Sequence, residues 1–301
     1  MKETLLNKLR TLTTRRIITI CLISLIGIAL FVDYVIGISS NPLQDDMLTV
    51  VFIDVGQGDS QLVIASCGAV KLIDTGPRMN YRVLISYLRE FNVTSIDYFI
   101  LTHPHEDHFG GAEFVVRYFD VCTLLIPDTS TTVTTHFTFD RFLYRVADYD
   151  FSLETVQAGD EFYFGERGFF RILSPNGGRQ RTQNDYSIVH RLEYGDINIM
   201  FTGDATTTVE NRMVSSFAHE HLRSDVLVVG HHGSWTSTGE VFLAAVAPSI
   251  AVIQSEAGNQ HGHPHYSVMA RLNRHQVQVW RTDQKGTFVI QSDGQRIFLI
   301  D

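Results

Sequence analysis

The chain has 301 residues, 44% of them hydrophobic, 11% aromatic and 19% charged, with 22 glycines against 7 prolines, which excludes a disordered, collagen-like or low-complexity protein. The first 40 residues hold five basic side chains (Lys2, Lys8, Arg10, Arg15, Arg16) against Glu3 and Asp33, so the rest, with 19 basic and 31 acidic residues, carries a charge of −12. Such an acidic body disfavours nucleic acid as a static partner held by charge alone, although bound cations would change the local field.

Ile17 to Val32 is an uncharged run, preceded by Arg15 and Arg16 and followed, past Asp33, by the apolar stretch Tyr34 to Ile38. A membrane span needs about 20 predominantly apolar residues, so 17–38 is predicted to be an uncleaved, single-pass signal anchor. Because the basic flank comes first, residues 1–16 are expected in the cytoplasm and the body outside it, on the cell membrane. A cleaved signal peptide is the alternative, weakened by the poor small-x-small site at Ile38, Ser39 and Ser40. A buried core helix would show a polar face, and this segment has none. Cys21, Cys67 and Cys122 have neither metal-type spacing nor the pattern of a disulfide framework.

Residues 39–46 read as a polar linker and 47–301 as one folded domain without a further linker or repeat. Leu48 to Val55, Gln61 to Ala65 and Val70 to Asp74 are predicted strands, rich in β-branched residues and broken by Gly56, Gly58 and Gly68. Arg82 to Phe91 has helical apolar spacing, Ile96 to Leu101 reads as a buried strand, and Ala112 to Phe119 and Thr138 to Tyr149 as helices. Short strands are expected within Glu161 to Leu173 and Ser187 to Met200. Helices Thr206 to Phe217, Gly239 to Val246 and Ser267 to Arg274 then alternate with strands Val226 to Val229 and Ile250 to Gln254. Gln276 to Trp280, Thr287 to Gln291 and Arg296 to Ile300 close the chain as strands. Mixed strands and helices along one chain imply an α/β or α+β sandwich.

All 13 histidines follow residue 100, and eight of them form three groups: His103/His105/His108, His231/His232 and His261/His263/His265. The first group is the informative one. Residues two apart in an extended segment point the same way, so His103 and His105 can hold one cation together. Asp107 and His108 fall at the turn into a helix, where they can hold a second. Imidazole and carboxylate ligands suit zinc, or manganese and iron where carboxylates dominate. Asp204 follows a strand through a Thr-Gly turn and precedes a helix, which is compatible with a ligand at the end of a sheet and equally with a helix N-cap.

The segment HPHEDHFGG at 103–111 resembles the HxHxDH signature of the metallo-β-lactamase superfamily. FIDVGQGDS at 52–60, LIDTG at 72–76, NDYS at 184–187, FTGD at 201–204 and HHGS at 231–234 are similar to the soluble hydrolase domain of the ComEC-type competence proteins, over about 47–301. The resemblance implies a four-layer αββα sandwich of two similar halves with two divalent metal ions at the sheet ends, zinc as the first expectation and manganese as the second. It implies that Asp204 bridges both metals, that His231 rather than His232 is the last ligand, and that Asp74 orders ligands through hydrogen bonds. Lactamases supply a third histidine to the first metal from the region that here reads Gln183 to Ser187. Asp185 is the expected substitute, and His190, inside a strand, is expected to face solvent or pack.

Two cations about 3.5–4 Å apart lower the pKa of a water between them and clamp the oxygens of an in-line displacement, which is phosphoesterase chemistry. Asp107 and Asp204 are the expected catalytic carboxylates. The GHP segment implies that His263 binds phosphate or protonates the leaving oxygen, and Ser234 and the Gly233 amide are further candidate donors. The expected substrate is a phosphodiester, DNA during competence in the first reading and a cell-wall or small-molecule ester in the second. A non-catalytic, metal-stabilised interaction domain is the third, disfavoured because structural zinc sites are closed four-ligand shells.

Overall fold

Strands covered on both faces read as unbroken apolar runs, and this chain supplies enough of them for two stacked sheets. The computed structural model describes residues 47–129 and 137–300. The predicted cytoplasmic tail, anchor and linker lie outside the described residues; among the described residues, no helix is long and apolar enough to cross a membrane.

The first half of the chain runs β1 (Leu48–Phe52), β2 (Gln61–Ile64), β3 (Val70–Ile73), α1 (Tyr81–Glu90), β4 (Ser95–Ile100), α2 (Glu106–Phe109), α3 (Ala112–Tyr118), β5 (Asp120–Pro127), α4 (Phe137–Val146) and β6 (Ser152–Val156). The second half begins β7 (Glu161–Phe164), β8 (Gly168–Ser174), β9 (Val189–Tyr194), β10 (Ile197–Phe201), α5 (Thr207–Ser216) and α6 (His219–Leu222). It continues β11 (Val226–Val228), α7 (Glu240–Val246), β12 (Ile250–Ile253), α8 (Tyr266–Arg274), β13 (Gln278–Arg281), α9 (Thr282–Lys285), β14 (Phe288–Ser292) and β15 (Ile297–Ile300).

Among the described residues one sheet has the order β15-β14-β1-β2-β3-β4-β5-β6 and the other β13-β12-β11-β10-β9-β8-β7. Each joins an antiparallel part to a parallel one: β3, β4, β5 and β6 run parallel, as do β10, β11, β12 and β13. Between the sheets Val50, Phe52, Ile73 and Ile100 meet Phe170, Leu192, Phe201 and Val228 in one core. On the outer face of the second sheet Val209 and Met213 of α5, Leu243 of α7 and Val268 of α8 cover Met200, Leu227 and Ala251. On the first sheet's side, α1 buries Leu84, Ile85 and Leu88, and α3 buries Val115 and Val116. This is the two-sheet α/β sandwich expected.

Lys71 and His190 are polar residues within the apolar inter-sheet core. Lys71 of β3 is fully buried, its Nζ without a hydrogen-bond partner and 4.5 Å from the Phe170 ring centroid, with Phe164 and Phe201 slightly farther. Burial holds its pKa well below the ordinary lysine value. His190 of β9, predicted to face solvent or pack, packs: its ring stacks on Phe201 at 4.8 Å and an interplanar angle of 8°. Both ring nitrogens are buried and unpartnered.

Candidate metal centre

Parallel strands of both sheets deliver their C-terminal ends to one edge, the place where α/β sheets gather ligands. Asp74 follows β3, His103 follows β4, Asp204 follows β10, and His231 and His232 follow β11. His105 is extended (φ −94°, ψ 143°) at the start of α2, so His103 and His105 do point together, with His103 Nε2 2.9 Å from His105 Nδ1. Asp107 and His108 occupy the first turn of α2.

The Asp204 carboxylate is the hub, and its two oxygens face different groups. Oδ1 lies 3.2 Å from His108 Nε2 and 3.6 Å from His232 Nε2, and Asp107 Oδ2 is 3.4 Å from the same His232 nitrogen. Oδ2 lies 3.5 Å from His103 Nε2 and 3.4 Å from His231 Nε2. Two neighbouring residues serve both sides because His231 (φ 54°, ψ 47°) and His232 (φ 54°, ψ 23°) both adopt left-handed backbone. Non-glycine residues reach that region at a cost, and such strain gathers at functional sites.

Buried polar atoms are normally hydrogen-bonded. Here His108 Nε2, His232 Nε2 and Asp204 Oδ1 are all buried without a partner, and all converge on one point. Two imidazole nitrogens and a carboxylate oxygen, with Asp107 beside them, are a donor set that fits a divalent cation. On their far sides these imidazoles are held by acids. His108 Nδ1 is 2.7 Å from Asp74 Oδ2, and Asp74 also accepts from the amide (2.8 Å) and hydroxyl (2.7 Å) of Thr102. His232 Nδ1 is 3.1 Å from Asp59 Oδ1 and 3.1 Å from the Gln254 carbonyl. Asp59 went unsingled in the sequence; its signal was the tight GQGD turn. A side chain on Gly58 (φ +153°) would place Cβ 2.3 Å from the Asp107 carbonyl, so only glycine lets this loop close on α2, where the Asp59 amide donates to Asp107 O at 3.2 Å.

Charge follows from this packing. Burial alone would lower the pKa of His108, but Asp204, Asp74 and Asp107 outweigh it and hold the pKa well above the ordinary value. His232 is raised in the same way, by Asp204 and Asp59 against burial. Burial would raise Asp204, yet His108, His232 and His103 keep it well below the carboxylate range, and Asp107 is likewise depressed by His108 and His232. On the other side of the hub, burial and then His103 pull His105 down to about 4, and burial lowers His231.

Asp185, His231 and His263 each have their own surroundings. Asp185 is buried on a 3₁₀ turn, Asn184–Tyr186, where its carboxylate accepts from the Thr206 hydroxyl and, at 3.3 Å, the Thr182 amide. The turn presents Asn184 instead, its Nδ2 3.3 Å from the His231 ring. His231, expected as the last ligand, lies on the His103 side of Asp204, and its neighbour His232 lies beside Asp107 and His108. His263 reaches the rim, with ring centroids 5.6 Å from His231 and 6.4 Å from His232. Burial, then His232, His231 and His261, lower it to about 4, so it is neutral at pH 7, which favours hydrogen bonding over proton delivery. Ser234 is buried and bonds Thr236, whose hydroxyl is 3.0 Å from His231 Nδ1.

Comparison with known proteins agrees with this geometry. ComE operon protein 3 of Bacillus subtilis is 34% identical over 253 residues, covering 78% of this chain and 32% of that protein. Recombination protein 2 of Haemophilus influenzae is 32% identical over 239 residues, covering 78% and 27%, and competence protein ComA of Neisseria gonorrhoeae is 30% identical over 246 residues, covering 77% and 30%. The chain thus spans about a third of the length of these relatives. Among solved structures, CmlA, a diiron β-hydroxylase from Streptomyces venezuelae, shares the fold at a TM-score of 0.51 and 14% identity, covering 84% of this chain and 54% of that one. The Metallo-beta-lactamase superfamily model matches residues 53–255, and with its signature residues gathered at one sheet edge the chain belongs to that superfamily, whose fold typically binds two divalent metal ions.

Proposed function

We propose that the chain is a metal-dependent phosphodiester hydrolase acting on a DNA strand during uptake, anchored by 17–38 with 47–301 outside the cytoplasm. The observation that carries this reading is the divided Asp204 carboxylate. His103, His105, His231 and Asp204 Oδ2 would hold one cation; Asp107, His108, His232 and Asp204 Oδ1 would hold the other. When bound, such a pair supplies Lewis acidity that polarises phosphoryl oxygens and makes water a stronger acid. The protein's own part is to fix the donors. Asp74 and Asp59 hold the Nδ1 sides of His108 and His232, so that each Nε2 faces inward and would bind a cation in exchange for its proton. Asp107 is 34% exposed and marks the open side through which a phosphodiester would approach. Neutral His263 is positioned to hydrogen-bond an oxygen of that group.

Nuclease action in an acidic protein needs local positive charge. A cavity of about 320 Å³ beside α2 is lined by Arg78, Arg141 and Arg145 together with Glu106 and Glu113, and Glu113 pairs with Arg78 at 3.1 Å and Arg145 at 2.9 Å, so the lining keeps a surplus of one positive charge. That small surplus is compatible with a polyanionic substrate, and the names of two relatives, a recombination protein and a competence protein, support one that is DNA. The test is to load the full chain with zinc or manganese and assay bis(p-nitrophenyl) phosphate, single-stranded DNA and duplex DNA. Turnover of the diester is expected, falling at least about a hundredfold in Asp107→Ala and Asp204→Ala with circular dichroism unchanged. A fully loaded protein that turns over none of the three would overturn the reading.

A further inference from the structure

The metal centre has a second flank, on the side of the 231–236 loop, and its chemistry is aromatic. Trp235 is 67% exposed and Tyr266 79% exposed. Each immediately follows a site segment: Trp235 comes after HHGS, and Tyr266 follows GHPH as the first residue of α8. The two loops are joined backbone to backbone. The His265 amide donates to the Gly233 carbonyl at 2.9 Å, and a Cβ on Gly233 (φ +83°) would come within 2.6 Å of Pro264 Cβ. Glycine at 233 is what lets the segments touch, which sets Trp235 and Tyr266 on adjoining segments that also carry His231, His232 and His263. The Tyr266 ring is further braced against His265, centroids 4.5 Å apart.

Exposing two large aromatic rings forfeits burial that each would otherwise gain. Single exposed apolar residues need no explanation, but a pair on two segments that touch, each next in sequence to residues of the centre, does. The partner must suit a site that takes a phosphodiester in a chain of net charge −9, which cannot hold a polyanion by charge alone. Neutral π faces can: stacking on aromatic side chains contributes about 1–3 kcal/mol per base and is indifferent to sequence. A quaternary ammonium headgroup, the other ring-seeking ligand, is held in an enclosed aromatic cage; two rings this exposed offer open faces instead.

We propose that Trp235 and Tyr266 are a base-stacking platform, and that the preferred substrate is a single strand whose unpaired bases rest there while its backbone enters the metal centre. The proposal rests on the phosphodiesterase reading and refines its substrate. Stacking needs free base faces, which a duplex hides, so single strands are selected over paired ones.

The test separates binding from turnover. Full-length protein is treated with a chelator so that nothing is cut, and fluorescein-labelled (dT)10, an abasic decamer with the same phosphates, and a ten-base-pair duplex are titrated by fluorescence anisotropy. (dT)10 is expected to bind about tenfold or more tighter than the other two, and to quench Trp235 emission. Trp235→Ala and Tyr266→Ala should each weaken (dT)10 binding by about tenfold and leave the abasic decamer unaffected, and Trp235→Phe should restore most of the loss. Equal binding of (dT)10 and the abasic decamer, no binding of (dT)10, or quenching by phosphocholine in place of (dT)10 would overturn the platform. Hydrolysis of bis(p-nitrophenyl) phosphate by the metal-loaded wild type reports separately on the phosphodiesterase reading, because that compound carries no base.

Discussion

Each side of Asp204 rests on a pair of histidines, and the two pairs are backed differently. On the Oδ1 side, His108 and His232 are fully buried, and each has a carboxylate, Asp74 or Asp59, at its far nitrogen. On the Oδ2 side the far nitrogens of His103 and His231 meet hydroxyls, Thr102 at 3.1 Å and Thr236 at 3.0 Å, and the His231 side chain is 25% exposed. A carboxylate makes an imidazole a better donor than a hydroxyl does, and burial slows exchange with water. The difference teaches that groups which never touch a metal can grade two cation positions, so one tight and one labile position are expected here.

The strongest way to break the comparison is Asp204→Ala, which takes an oxygen from both sides at once. Loss of both metal equivalents from desalted protein is expected by elemental analysis, with the hundredfold fall in diester turnover already described. Single-histidine variants sharpen it. His231→Ala should retain one tightly held equivalent, whereas His232→Ala should leave only a labile one that a mild chelator removes. Asp185→Ala should leave the metal content at the wild-type value, since its carboxylate is committed to Thr182 and Thr206. Next come the backing acids: Asp59→Asn and Asp74→Asn should weaken the tight position about 10–100-fold in a competition titration, with the labile one unaltered.

The smallest effect concerns the frame and depends on pH. Glu210 of α5 is buried, and its carboxylate accepts from the amides of Thr238 and Gly239 at the start of α7. Burial raises its pKa to about 7, against those two amides and Arg271, which act to lower it. The folded state therefore binds a proton that the unfolded state, titrating near 4.5, has already lost. Stability contributed by this proton is full below pH 4.5 and is lost as pH rises through 7. Urea titrations at pH 5 and pH 8 should show wild type losing of the order of 3 kcal/mol from this group, and Glu210→Gln should flatten the difference. A steeper fall in the variant would contradict the assignment.

Much of the frame was legible because strands buried on both faces leave unmistakable runs, as in LTVVF of β1 and IAVI of β12. β6, with sequence SLETV, was not assigned: four of its five residues are exposed, so burial left no pattern to read. The density of ligands at 103–108 announced the centre, whereas Asp204 and Asp74 came from the family resemblance, since the place of Asp204 after a strand suits a helix N-cap equally well. Which of two adjacent residues faces inward is another matter. His231 and His232 are divided between the two sides by successive left-handed residues, and a 3₁₀ turn decides between Asn184 and Asp185. Neither conformation has a local sequence signal strong enough to predict. Asp59 was hidden for a related reason, since a lone acid in a glycine turn reads as a turn residue until the partner across the sandwich, His232, is in view. Lys71 defied pattern altogether, as a charged residue facing the inter-sheet core.

The division of labour around Asp204 is tested most directly by an anomalous difference map from crystals grown with manganese. The expected result is two peaks flanking the Asp204 carboxylate, one among Asp107, His108 and His232 and the other among His103, His105 and His231. A single peak, or a second peak beside Asp185 with His231 turned away, would contradict it.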